Sequence, residues 1–175
     1  SCGGPNLEPP ALHPQRRLFH RSTEGVHLCA VTGGLPYAHR DRFVLSVIEI
    51  ILGAGASSRL YNEVRENRGL AYSIYSHSSP YTDAGLFGVY VGTSVKNMDL
   101  VLELVRNELA RFREEGASDQ ELERAKMQLK GGLVRGLEST YMRAEHVGES
   151  LLNLGTVPTL RQTLAEIERV DEDDL

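Results

Sequence analysis

The sequence is poor in cysteine: Cys2 and Cys29 are its only two, too few for a disulfide framework, although one bridge is arithmetically possible. It also lacks any run of about 18 apolar residues that could span a bilayer. Its longest greasy stretch, residues 43–52, is broken by Ser46 and Glu49. The opening SCGGPNLEPP contains neither a basic patch nor an apolar segment, so no targeting signal is readable and a cytoplasmic location is expected. Basic charge is not in excess either. Nineteen Lys and Arg against 24 Asp and Glu leave a formal charge of -5, which argues against nucleic acid or a membrane surface as principal partner.

Familiar catalytic signatures are missing as well. The histidines, at positions 13, 20, 27, 39, 77 and 146, include no i, i+4 pair, and there is no Cys-x-x-Cys. His146 and Glu149 share a helix face, which is only a fragment of a ligand set. Ser57 and Ser58 lie in AGASSRL rather than in Gly-x-Ser-x-Gly, so capping suits them better than nucleophilic attack. The amides of residues 53–58 could meet a phosphate at a helix start, but no lysine follows to complete a Walker loop.

What is present suits one core: 175 residues, 41% of them apolar. The first 16 residues contain four of the seven prolines and read as a linker or extended arm, leaving residues 17–175 as a single domain. Alternation over 26–31 predicts a strand ended by Gly33-Gly34, and Phe43, Val47, Ile50 and Ala54 predict a helix over 40–52. Ser57 or Ser58 then caps a short helix carrying Leu60, Tyr61 and Val64, which Gly69 stops. Strands over 71–76 and 85–92, reversed through 80–83, form an antiparallel pair with Phe87, Val89 and Val91 on one face.

The remaining half is helical. Asn97 is the expected cap of a helix with Met98, Val101, Val105, Leu109 and Phe112 in its stripe, and Gly116 ends it. Ser118 with Glu121 makes a capping box for the next helix, in which Gly131-Gly132 mark close packing or a bend. A third helix runs over 140–154 to Gly155, and Thr159 with Gln162 opens a fourth. Asp171 looks like the cap of a further helix, so the chain is expected to be cut within a longer series of elements. The order predicts an α+β fold, a mixed, mainly antiparallel sheet with long helices packed on one face. A dinucleotide fold is disfavoured, because Gly53-x-Gly55 follows a helix rather than a strand.

The densest polar stretch is residues 61–72, YNEVRENRGLAY. With a helix ending near Asn67 and a strand starting near Ala71, Arg65 and Tyr72 can converge. A guanidinium and a phenol together donate to a carbonyl or a developing oxyanion. The competing reading pairs Arg65 with Glu63 or Glu66 and lets Tyr72 merely pack. Arg59 and Glu63 have the i, i+4 spacing of a helix ion pair, and Arg68 reads as a solvent-facing charge.

The run ILGAGASSRLYNEVRENRGLAYSIYS, residues 51–76, resembles the signature of the C-terminal domain in the pitrilysin and mitochondrial processing peptidase family, the inverted zincins. That signature is Gly-Gly-Gly-x-Ser-Ser-Arg-Leu followed by Glu-x-Arg-Glu-x-x-Gly-x-x-Tyr. Gly53, Gly55, Ser57, Ser58, Arg59, Leu60, Glu63, Arg65, Glu66, Gly69 and Tyr72 match it; Ala54 stands where glycine is commoner. The resemblance implies duplicated α+β domains that close around an extended peptide, with a zinc-bearing His-x-x-Glu-His helix in the first. Residues 40–52 correspond to that helix and lack those ligands, so this chain resembles the half without zinc, and it is expected to hold no cofactor of its own.

By the same resemblance, Arg65 and Tyr72 are the catalytic pair that reaches a substrate next to zinc carried by an N-terminal domain or a catalytic subunit. Tyr72 would donate to the carbonyl oxygen or oxyanion, and Arg65 would position the substrate backbone. The chain is then expected to be the C-terminal half of a zinc metalloendopeptidase, inactive in isolation. Two other readings are a zinc-less partner subunit of a two-chain peptidase and a non-catalytic structural subunit of the same fold. A homodimer is a further possibility, through apolar surface left by the missing partner domain.

Overall fold

A computed structural model describes residues 10–20 and 22–175. Residues 10–20 carry no helix or strand and are exposed; the rest of the expected arm, and Cys2, lie outside the described residues. Three strands, β1 (Val26–Gly34), β2 (Ala71–Pro80) and β3 (Gly85–Thr93), form one antiparallel sheet in the order β1-β3-β2. The helices are α1 (Arg42–Gly53), α2 (Met98–Glu115), α3 (Asp119–Gly136), α4 (Thr140–Leu154) and α5 (Leu160–Glu168). The expected α+β architecture is therefore present.

Alternation sorts the sheet into two faces. Ile74, Phe87, Val89 and Val91 are buried against Val47, Ile51, Leu52, Val101, Val105 and Phe112 of the helices. The opposite face, with Val31, Tyr75, His77 and Leu86, is exposed. Helix α1 approaches β2 closely at its C-terminal end: a Cβ added to Gly53 would lie 2.2 Å from the Ser76 backbone nitrogen. There Ser76 Oγ donates to the Glu49 carbonyl at 2.6 Å, and the Glu49 carboxylate accepts from the Ser78 amide at 3.1 Å and from its hydroxyl.

Several boundaries differ from the local expectations. Both outer strands are longer than predicted. Gly33 and Gly34 stay in register with Leu86 and Gly85, and β2 continues through His77, Ser78 and Ser79 because β3 and Glu49 satisfy its backbone. The predicted short α-helix is instead a π-helix (Tyr61–Glu66). Asn97 does not cap α2 with its side chain, and a 3-10 turn (Val95–Asn97) leads into that helix. Gly131 and Gly132 do not mark close packing on another backbone: an added Cβ would meet only the Arg135 side chain at Gly131 and nothing within 4 Å at Gly132. At the last described residues, Asp171 caps a 3-10 turn (Glu172–Asp174).

Elsewhere the expected punctuation holds. The Ser118–Glu121 and Thr159–Gln162 capping boxes are both formed. Gly116, with φ +69°, and Gly155, with φ +70°, terminate α2 and α4 in a backbone region that favours glycine.

Candidate functional site at the open sheet corner

The π-helix closes its hydrogen bonds over one more residue than an α-helix, so its side chains no longer follow 3.6-residue spacing. Its closing bond runs from the Asn67 amide to the Asn62 carbonyl at 2.9 Å. Gly69, with φ +61°, then reverses the chain, its amide bonded to the Arg65 carbonyl, and Leu70 donates to Val64. Ala71 then opens β2, and Tyr72 is its second residue. The register there steps from Ala71 opposite Thr93 to Ser73 opposite Gly92, so Tyr72 is the extra residue of a β-bulge. A bulge re-aims a side chain, and Tyr72 stands 71% exposed.

Arg65 is exposed as well, with its guanidinium carbon 4.9 Å from the centroid of the Tyr61 ring. The alternative pairing with Glu63 or Glu66 does not form: Arg68 takes Glu63, donating at 2.6 and 3.0 Å. Among the described residues Arg65 has no ion pair, which leaves its donors for something else. Arg68, read as a solvated charge, is thus the residue that neutralises Glu63. Tyr72 does not merely pack. Arg65 and Tyr72 flank one tight reversal, and both face solvent without a hydrogen bond joining them.

The predicted Arg59–Glu63 pair is also absent, because Arg59 precedes the π-helix and turns toward the α2–α3 junction. Its Nε and Nη2 donate to the two Glu121 carboxylate oxygens at 2.6 and 2.8 Å, and Nη2 also donates to the Gly116 carbonyl at 2.8 Å. Glu108 lies 3.7 Å from Nη1, and the Phe112 ring lies beneath the guanidinium. The guanidinium beside it holds the Glu121 carboxyl down at about 2; burial opposes this, and donors from Ser118 assist it. This tie anchors the loop that leads to Arg65. Ser58 is buried with its hydroxyl donating to the Gly55 carbonyl at 2.7 Å, a structural use rather than that of an exposed nucleophile.

Beyond Tyr72 the open face bears a row of polar aromatic groups. Tyr75 stacks on Tyr90 with centroids 4.8 Å apart, and the Tyr90 hydroxyl meets His27 Nδ1 at 2.5 Å. Sequence reasoning did not single these residues out. Alternation put Tyr75 and Tyr90 opposite the apolar face, but only the β2–β3 register makes them neighbours.

Zinc is a poor fit to the described residues. No group of three or more His, Cys, Asp or Glu among them could hold a metal ion. Glu49, the sole carboxylate on α1, is committed to Ser78, and His39 Nδ1 accepts from the Asp41 amide. No described helix is long and apolar enough to cross a membrane.

A helix-backed antiparallel sheet of this kind is the architecture of an M16-type peptidase domain. The chain matches the family model for the peptidase M16 inactive domain over residues 4–129, and it belongs to that family. It is 37% identical over 165 residues to the zinc protease YmxG of Bacillus subtilis, covering 94% of this chain and 40% of that protein. With a zinc protease of Streptomyces coelicolor it shares 42% identity over 158 residues, covering 90% of this chain and 34% of the relative. The chain thus spans well under half the length of these relatives.

Among solved structures, the peptidase M16 inactive domain from Pseudomonas fluorescens superimposes with a TM-score of 0.79 at 25% identity, covering 87% of this chain and 36% of that one. A chain of complex III from Candida albicans has the same fold, with a TM-score of 0.79 at 21% identity, over 89% of this chain and 39% of that one.

Proposed function

We propose that this chain is the zinc-free half of a zinc-dependent endopeptidase, and that Arg65 and Tyr72 bind an extended peptide and stabilise charge developing on its scissile carbonyl. Zinc, in this reading, belongs to an N-terminal domain or a catalytic subunit. The observation that carries the proposal is the pair of uncommitted donors at one corner of the open sheet. Glu63 is spent on Arg68, so the Arg65 fork keeps its charge for a substrate, and the bulge presents the Tyr72 phenol outward.

The phenol is suited to donate one hydrogen bond to a carbonyl oxygen, stronger as that oxygen gains negative charge. The guanidinium can hold two backbone carbonyls, which fixes the register of an extended peptide. The names of the relatives, zinc proteases, support the reaction class.

The test is Arg65→Ala in the full-length protein, assayed on a quenched peptide. A fall in kcat/KM of about tenfold or more is expected, with little recovery in Arg65→Lys, which loses the fork. Arg68→Ala serves as the neighbouring-charge control and should stay near wild type. Unchanged kcat/KM in Arg65→Ala overturns the assignment.

A further inference from the structure

At the far end of β2 from Tyr72, about 26 Å along the strand, a cavity of about 230 Å³ lies between α1, α3, α4 and α5, on the covered side of the sheet. Phe43, Leu129, Leu133 and Ile167 supply apolar walls. Arg42, His146 and Ser150 also line it, and none of its lining residues is an aspartate or glutamate. We propose that this cavity binds a medium-chain fatty acid, its carboxylate paired with Arg42 and its acyl chain lying among Leu129, Leu133 and Ile167.

Three observations carry this. The Arg42 guanidinium is half-buried between the rings of Tyr37 and Phe43, at 5.4 and 4.6 Å, and donates only to the Tyr37 carbonyl. Among the described residues it has no carboxylate partner, although a desolvated cation favours one. Ser150 is 1% exposed, and its hydroxyl has no hydrogen-bond partner among the described residues. Helix α4, finally, turns His146 and Ser150 inward while Val147, Leu151 and Leu152 face solvent, the reverse of an ordinary surface helix. Unspent donors and positive charge therefore converge on an apolar space. Its volume equals that of about eight waters, which suits a chain of about eight carbons.

Titration calorimetry on the full-length protein, with octanoate and 1-octanol as probes, tests the inference without any variant. Octanoate should bind saturably at one site, at least about tenfold tighter than octanol. Arg42→Gln should weaken octanoate at least about tenfold and leave octanol within about twofold. Ser150→Leu, filling the cavity, should abolish both. Methyl NMR on the wild-type protein should show octanoate-induced shifts at Leu129, Leu133 and Ile167. Absence of saturable binding, equal affinity for the two probes, an unaffected Arg42→Gln variant with native circular dichroism, or shifts confined to Val31 and Leu86 on the open face would each overturn the assignment. The site is independent of the peptidase reading, so turnover lost through Arg65 or Tyr72 does not bear on it.

Discussion

Removing the Arg59 guanidinium should destabilise the protein far more than removing the Glu121 charge, and the structure says by how much. Arg59 is 11% exposed and serves two carboxylates and the Gly116 carbonyl at once. Arg59→Ala would leave Glu108, 5% exposed, with Arg111 as its remaining partner at 2.9 Å. Breaking a buried pair on one side costs about 3–5 kcal/mol, and partial access of water to Glu121 argues for the lower end, about 3 kcal/mol. At about 2–4 °C per kcal/mol for a chain of this size, Tm should fall by about 6–12 °C. Glu121→Gln, by contrast, preserves the capping box and leaves Arg59 with Glu108, so about 1 kcal/mol is expected.

Acid should erase part of this difference. The folded-state pKa of Glu121 is lowered from 4.5 to about 2, so the unfolded chain takes up its proton first. The stabilisation is therefore complete above about pH 5 and disappears as pH falls toward 2. Equilibrium urea unfolding, followed by circular dichroism at pH 7 and at pH 3, measures both effects. An Arg59→Ala variant within about 0.5 kcal/mol of wild type, or a Glu121→Gln deficit that does not shrink in acid, would refute the reasoning.

Three glycine substitutions give further checks. Gly53→Ala drives a methyl group into the Ser76 backbone and should cost about 3 kcal/mol, whereas Gly132→Ala meets open space within α3 and should gain up to about 1 kcal/mol; thermal melts separate them. Gly69→Ala forces a side chain into a φ of +61° between Arg65 and Tyr72. It should cost about 1–2 kcal/mol in urea unfolding and lower kcat/KM with zinc content unchanged.

The legible features of the fold are those whose cause is local. Gly155 stops α4 and Ser118 caps α3 through atoms a few residues away, so their spacing alone revealed them. Alternation likewise assigned Phe87, Val89 and Val91 to the covered face. What local reasoning missed depends on distant partners. Arg59 finds Glu121 at a separation of 62 residues, β2 is prolonged past Ser76 by β3 and Glu49, and Tyr75 meets Tyr90 only through strand register. The π-turn illustrates a different limit: its sequence has ordinary helix-forming residues, and the α-helical period assumed for it misplaced Glu63. Arg65 and Tyr72 stand out as candidates in the sequence because they lie on either side of Gly69, where a helix end and a strand start are expected to meet.

The most direct measurement is turnover of the full-length protein with Tyr72→Phe, alongside elemental analysis. Loss of one hydroxyl that donates to a developing oxyanion should lower turnover at least about tenfold, with zinc content equal to wild type. Wild-type turnover in that variant would contradict the role given to Tyr72.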